Sequence, residues 1–119
     1  MAVNFTGEKI SQINCKATAG IGYAFRMQIF FKKKHGLEWK EANESKSITL
    51  GFTGKYDLST ISGIEEGDEV RLGLNVSAGP DRKANESFEY QKDSKKYAYY
   101  EATGACTNAT LRYEGIKEL

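Results

Sequence analysis

A chain of 119 residues with 28% charged and 39% hydrophobic side chains has room for one domain with a single core, and excludes disorder or a coiled coil. Its 17 basic and 16 acidic residues leave a net charge of +1, which argues against a nucleic acid partner. No apolar run approaches the roughly 20 residues of a membrane-spanning helix; the opening Met1-Ala2-Val3-Asn4-Phe5-Thr6 has neither the basic leader nor the apolar stretch of a signal peptide, so the protein is expected to be made without export or to have its leader left out.

The apolar residues alternate instead of recurring at helical spacing, and the single proline, twelve glycines and many Ser, Thr and Tyr residues favour strands. A first strand is expected from about Lys9 to Ala17, with Ile13, Cys15 and Ala17 on one face and Asn14 and Lys16 on the other. The second, from about Gly22 to Lys33, places Tyr23, Phe25, Met27, Ile29 and Phe31 against Ala24, Arg26, Gln28, Phe30 and Lys32, the strongest strand signal in the chain. A turn through Lys34, His35 and Gly36 leads to Leu37-Glu38-Trp39-Lys40 and then Ser47 to Leu50, and Gly51 and Gly54 bracket the next turn. The irregular stretch from Tyr56 to Val70 reads as a crossover between sheets, with a short helical turn within Ser59 to Gly63. Val70, Leu72, Leu74 and Val76 alternate with polar or small residues as one half-buried strand, and Gly79-Pro80-Asp81 has turn chemistry suited to a hairpin tip. Phe88 to Tyr90, Lys96 to Glu101, and Ala109 to Tyr113 between Gly104 and Gly115 complete the set. Seven to nine short strands with frequent turn signals predict an all-β fold, an antiparallel β-sandwich or jelly roll, over residues 1–119 as one domain.

The tetrapeptide Ala-Asn-Glu-Ser occurs at Ala42 to Ser45 and at Ala84 to Ser87, and the stretches beginning Phe5-Thr6-Gly7 and Phe52-Thr53-Gly54 are also alike. The two spacings differ, which argues against a duplicated unit. Five of the six asparagines stand two positions before Ser or Thr: Asn4, Asn43, Asn75, Asn85 and Asn108. Each is a candidate acceptor for an N-linked sugar in a secreted protein, but strand and turn chemistry alone can write the same pattern, because residues i and i+2 share one face.

Cys15 lies in the first strand and Cys106 just before the last, so the two form a disulfide if the terminal strands meet. The rival readings are two reduced thiols or a bridge between subunits. The only histidine, His35, sits on a lysine-rich turn with no evident nucleophile, and no metal-ligand spacing or phosphate loop occurs, so the chain is read as non-enzymatic, with no cofactor and no metal. The acidic loop Glu65, Glu66, Asp68 and Glu69 supplies hard oxygens without the ligand spacing of a calcium loop and reads as a solvated turn. Lys32, Lys33, Lys34 and His35 beside Phe30, Phe31 and Trp39 would suit contact with an anionic membrane, but lysines at that place also guard an apolar strand against edge-to-edge pairing.

The aromatic residues carry the functional expectation. Tyr97 and Tyr99 share a face and Tyr100 points the other way, so at least one ring meets solvent unless Tyr97 and Tyr99 fill the core with Phe88 and Tyr113. Trp39, Tyr97, Tyr99 and Tyr100 are the candidate ligand-binding residues of a secreted or extracellular module that recognises a carbohydrate or cell-surface partner, since Tyr and Trp bring large contact area with a polar handle. Two other roles compete with it: a self-assembling structural subunit that uses strand edges or intermolecular cysteines, and a membrane-active β-sandwich toxin.

Overall fold

The computed structural model describes residues 3–18, 25–48, 51–76, 81–104 and 109–119. Eleven strands and one 3-10 turn appear among them: β1 (Asn4–Ile10), β2 (Gln12–Ala17), β3 (Phe25–Lys32), β4 (Lys40–Glu41), β5 (Lys46–Ile48), β6 (Thr53–Asp57), the turn Leu58–Thr60, β7 (Glu69–Val76), β8 (Arg82–Lys83), β9 (Glu86–Tyr90), β10 (Lys96–Thr103) and β11 (Thr110–Glu118). The larger sheet runs β1-β9-β7-β3-β4, with β5 also on β3 and β8 also on β7, and the smaller runs β11-β10-β2-β6. The fold is all-β with two mixed sheets. Tyr23, Thr49, Leu50, the turn through Gly79 and Pro80, Cys106 and Asn108 lie outside the described residues.

The expected antiparallel pairing is corrected at two places, because β1 pairs β9 and β2 pairs β10 in parallel. The strand count exceeds expectation because β4, β5 and β8 are too short to show a period, and because β1 is exposed along most of its length and shows none either. The strand predicted over Lys9 to Ala17 is in fact two strands that part at Ser11, where the chain leaves the larger sheet for the smaller. Residues 91–95 make the same step between β9 and β10. The two crossings are clasped together: Ser11 Oγ donates to Ser94 O at 2.8 Å, Ser94 Oγ donates to Lys9 O at 2.7 Å, and the Ser11 amide donates to Lys96 O at 3.1 Å.

In β3 the side chains of Phe25, Met27, Ile29 and Phe31 are buried while Arg26, Gln28, Phe30 and Lys32 face outward, as alternation predicts. Val70, Leu72, Leu74 and Val76 of β7 bury the matching face, and one buried cluster joins these residues to Ile13, Cys15, Ala98, Tyr100 and Ala102 of the smaller sheet. The segment from β6 to β7 crosses between the sheets, and Asp57 caps its 3-10 turn by accepting from the Ser59 amide. Gly54 lies inside β6, and Gly115 lies inside β11 with φ +106° instead of ending it; there the register shifts opposite Tyr99 and Tyr100, a bulge that favours a residue without Cβ.

The two Ala-Asn-Glu-Ser segments fall at corresponding places. Each follows a two-residue strand returning along a long one, β4 on β3 and β8 on β7, and each leads into a strand that resumes pairing with that same long strand, the second supplying the first two residues of β9. From Phe30 to Met27 is three steps against five from Glu41 to Lys46; from Gly73 to Val70 is three against five from Lys83 to Phe88. The Ala42 amide donates to Ile29 O and the Ala84 amide to Leu72 O, each at 2.8 Å, and Ile29 faces Leu72 across the β3–β7 ladder. A small buried Ala fits where the return strand bulges; Asn43, Glu44 and Asn85 after it are exposed, whereas Glu86 accepts from Tyr100 and buried Ser87 donates to Glu69. The two halves therefore share a local geometry that their unequal spacings hide.

Cys15 is a free thiol buried in the core. The expected bridge to Cys106 finds no support there, since Cys15 points among the packed residues of both sheets. Burial, with Glu101 nearby, pushes its pKa up to about 12. The neutral thiol is thus favoured by folding, and this preference begins to cost stability as pH rises above the ordinary thiol value. In a Cys106→Ser variant, native protein at pH 8 should leave Cys15 unlabelled by a thiol reagent that modifies it fully once guanidinium unfolds the chain. Rapid native labelling would show that the core opens around β2.

Candidate functional site

The alternation of β10 decides which aromatic rings meet solvent. Ala98, Tyr100 and Ala102 are buried, so Tyr97, Tyr99 and Glu101 lie on the outer face of the smaller sheet. Tyr100 is corrected from candidate ligand contact to core residue: it is 0% exposed, its hydroxyl donates to Glu86 Oε1 at 2.9 Å, and its ring lies 5.2 Å from Tyr113 and 6.4 Å from Phe88. Burial, then the neighbouring Glu86 carboxylate, raises its pKa far above the ordinary phenol value, so it stays a neutral donor.

Tyr97 and Tyr99 are both half-buried, and their rings pack edge to face with centroids 6.5 Å apart and planes at 86°. Such a pair forms a corner, with one ring standing as a wall beside the other. On the β2 side, Tyr97 faces Gln12 and Tyr99 faces Asn14, and Gln12 Nε2 donates to Asn14 Oδ1 at 2.7 Å, which fixes the two amides in one orientation. On the β11 side, Tyr97 faces Lys117 and Tyr99 faces Gly115, around whose Cβ position nothing lies within 4 Å. The surface beside Tyr99 is therefore open. Farther along β10, Arg112 reaches Glu101 at 2.8 Å and Glu114 at 2.6 Å, and its guanidinium pKa is raised by those two hydrogen bonds, Glu114 first. The Tyr99 phenol is also pushed up, by partial burial and then by Glu101, so it remains protonated and able to donate.

Trp39 does not join this face. It is half-buried just before β4, with Lys32 Nζ 5.2 Å from its ring centroid, and Lys32 projects from the outer side of the larger sheet. The candidate set therefore divides into a tyrosine pair on one sheet, a single indole on the other, and a core tyrosine.

The lysine-rich turn next to Trp39 is held by the acidic loop. Lys33 Nζ lies 2.9 Å from both Glu65 and Asp68, and Lys32 lies 3.3 Å from Glu69. Asp68, 3% exposed, also accepts from the amides of Glu65 at 2.9 Å and Lys34 at 3.3 Å. These carboxylates face lysines and amides, and no group of three metal-ligating side chains gathers among the described residues. Phe31 is buried, and Phe30 lies over Gly73 with Lys83 Nζ 4.6 Å from its ring, so neither is a free apolar tip. Leu37, 93% exposed, is the apolar side chain that does project from this loop.

In three of the five acceptor-like sequences the Ser or Thr is engaged within the protein. Thr6 Oγ1 donates to Ser87 O at 2.9 Å, Ser45 Oγ accepts from Arg26, and buried Ser87 donates to Glu69.

Compared with known protein families, curated proteins and solved structures, the chain matches none.

Proposed function

We propose that the protein is a non-enzymatic recognition module, a β-sandwich that binds carbohydrate through Tyr97 and Tyr99 on the outer face of its smaller sheet. The perpendicular, half-exposed tyrosine pair beside the open surface at Gly115 carries this reading. A pyranose ring presents an apolar C–H face that stacks on one phenol while the second walls its edge, and its hydroxyls meet the amide of half-buried Gln12, which its bond to buried Asn14 orients. Such a role belongs outside the cell. The sandwich description rests on the single buried cluster to which both sheets contribute their inner faces.

Self-assembly through strand edges is the weaker reading, because three of the four sheet edges are blunted and only β6 presents a regular five-residue edge. β1 carries a register shift around Gly7, which has φ +74°; β11 carries the Gly115 bulge; β4 and β5 are two and three residues long. A membrane-active role would lean on Lys32 and Lys33, which are already paired with Glu69, Glu65 and Asp68.

Tyr97→Ala and Tyr99→Ala, screened against a glycan array and then by calorimetry on the best glycan, should each weaken binding about 30-fold, as for a hot-spot aromatic of roughly 2 kcal/mol. Both variants should keep the urea midpoint of the parent. Unchanged affinity in both, or a large loss of stability, would assign the two rings to the fold and refute the reading.

A further inference from the structure

We infer that the glycan is an internal stretch of a linear, uncharged chain that lies across the strands, in a shallow trough floored by Gly115, Tyr99 and Asn14. The inference rests on the tyrosine reading above and adds the chemical class of the ligand. The registers set these residues in one row: Gly115 on β11 faces Tyr99 on β10, Tyr99 faces Asn14 on β2, and the row ends at Lys55 on β6. The row is low on both sides of the ring. Gly115 has no side chain and nothing lies within 4 Å of its Cβ position, while Asn14 is only 5% exposed and its Oδ1 accepts from the Gln12 amide. Longer side chains, each exposed or half-buried, border it. Lys117, Tyr97 and Gln12 form one bank, and Arg112, Glu101 and Lys16 form the other.

Three observations favour such a chain. First, the trough is open at both ends, because β11 and β6 are the edge strands of the smaller sheet and the row runs out at Gly115 and at exposed Lys55. Small ligands are held by clefts that enclose most of their surface. A trough without end walls instead accepts a chain that continues in both directions. Second, the rings set the direction. Their planes stand at 86°, so a ribbon-like chain laid along β10 cannot stack on both; laid across the strands, it keeps Tyr99 beneath it and Tyr97 at its flank. Neighbouring strands lie roughly 4.8 Å apart, close to the length of one pyranose unit, so the floor takes about three units. Third, the charges around the trough are interspersed. Arg112 is bonded to Glu101 and Glu114, Lys16 stands opposite Glu101, and Asp57 stands opposite Gln12. Sugar hydroxyls thus find donors and acceptors on both banks, and no field of one sign selects a charged sugar.

The test titrates cello-, manno- and laminari-oligosaccharides, each from monomer to hexamer, into the parent protein, Tyr99→Ala and Gly115→Asn. In at least one series the parent should bind the tetramer about tenfold or more tighter than the monomer, with little further gain at the hexamer. Capping the reducing end as a methyl glycoside should leave that affinity unchanged, and the uronic-acid form of the same tetramer should bind no tighter at low salt. Tyr99→Ala should weaken every length. Gly115→Asn puts a side chain into the open end at a left-handed position, φ +106°, that Asn tolerates better than most residues, and should remove most of the gain with length while leaving the dimer unaffected. If that variant loses the parent's urea midpoint, the length series on the parent decides alone. Full affinity at the monomer, loss on capping, or a tenfold preference for the uronic form would overturn the chain inference and leave carbohydrate recognition standing. Failure of all three series while another glycan on the array binds would do the same. Failure of every glycan to bind would overturn both readings.

Discussion

Truncating Phe88 to alanine should lower the unfolding free energy by about 3–5 kcal/mol, the range for removing a fully buried aromatic ring. Phe88 is 0% exposed and stands on β9 of the larger sheet, while its ring meets Tyr113 at 5.5 Å and Tyr100 at 6.4 Å, both from the smaller sheet. It therefore joins the two sheets directly. The cavity left behind cannot close easily, because Tyr100 is anchored by its hydrogen bond to Glu86 and is flanked by Ala98 and Ala102, which are too small to move in. Against a total stability of about 5–15 kcal/mol for a domain, such a loss leaves little margin. Urea denaturation of both proteins measures it. A loss below about 1 kcal/mol would mean that the sheets are held together elsewhere.

The second large effect is expected at Asp68. Replacing it with alanine removes the acceptor of the Glu65 and Lys34 amides and one of the two carboxylates that hold Lys33. Hydrogen bonds to a buried charged group contribute about 1.5–3 kcal/mol, so a loss of about 2–3 kcal/mol should follow. Asp68→Asn keeps one acceptor oxygen and should lose clearly less. The Lys33 ammonium gives a pH signature: its pKa is raised, first by the hydrogen bond to Asp68 and then by that to Glu65. A raised cationic pKa contributes stability that is complete below the unfolded lysine value and is lost as pH rises through the folded one. The difference between parent and Asp68→Ala should therefore narrow above about pH 10.4, where an unfolded lysine loses its charge, and keep the part that the two amide hydrogen bonds contribute. A constant difference from pH 7 to 12 would remove Lys33 from the account.

How much of this was legible depended on whether burial was periodic. β3 and β7 were readable because large apolar residues recur at every second position on one face, and the crossover from β6 to β7 was readable because its glycines break any period. The parallel ladders were not, because the partners β1 and β9, and β2 and β10, lie at opposite ends of the chain and no local signal announces them. In β10 the alternation was visible but left open which of its faces is buried. The inner face consists of Ala98, Tyr100 and Ala102, small enough to look unlike a core, while the outer face carries the larger-looking Tyr97 and Tyr99. Glu101, two residues after Tyr99, was the available sign that this was the solvent side. Gly115 read as a boundary because a left-handed residue inside a strand gives the same sequence signal as one at a turn. The juxtaposition of Lys9 and Lys96 at the crossing between the sheets could not be foreseen at all, since they come together only through the clasp at Ser11 and Ser94.

That clasp and the ladders beside it also fix an order of events during synthesis. β3, β4 and β5 can fold back on one another as soon as they emerge, and the bulged hairpin of β7, β8 and β9 can do the same. The smaller sheet cannot, because β2 has only β6 beside it until β10 arrives to fill its other edge. Closing so long a loop is slow, and until it closes an open flank of β2 is exposed to other nascent chains. The buried thiol at Cys15 and the tyrosine face opposite it are thus among the last features the ribosome lets the protein complete.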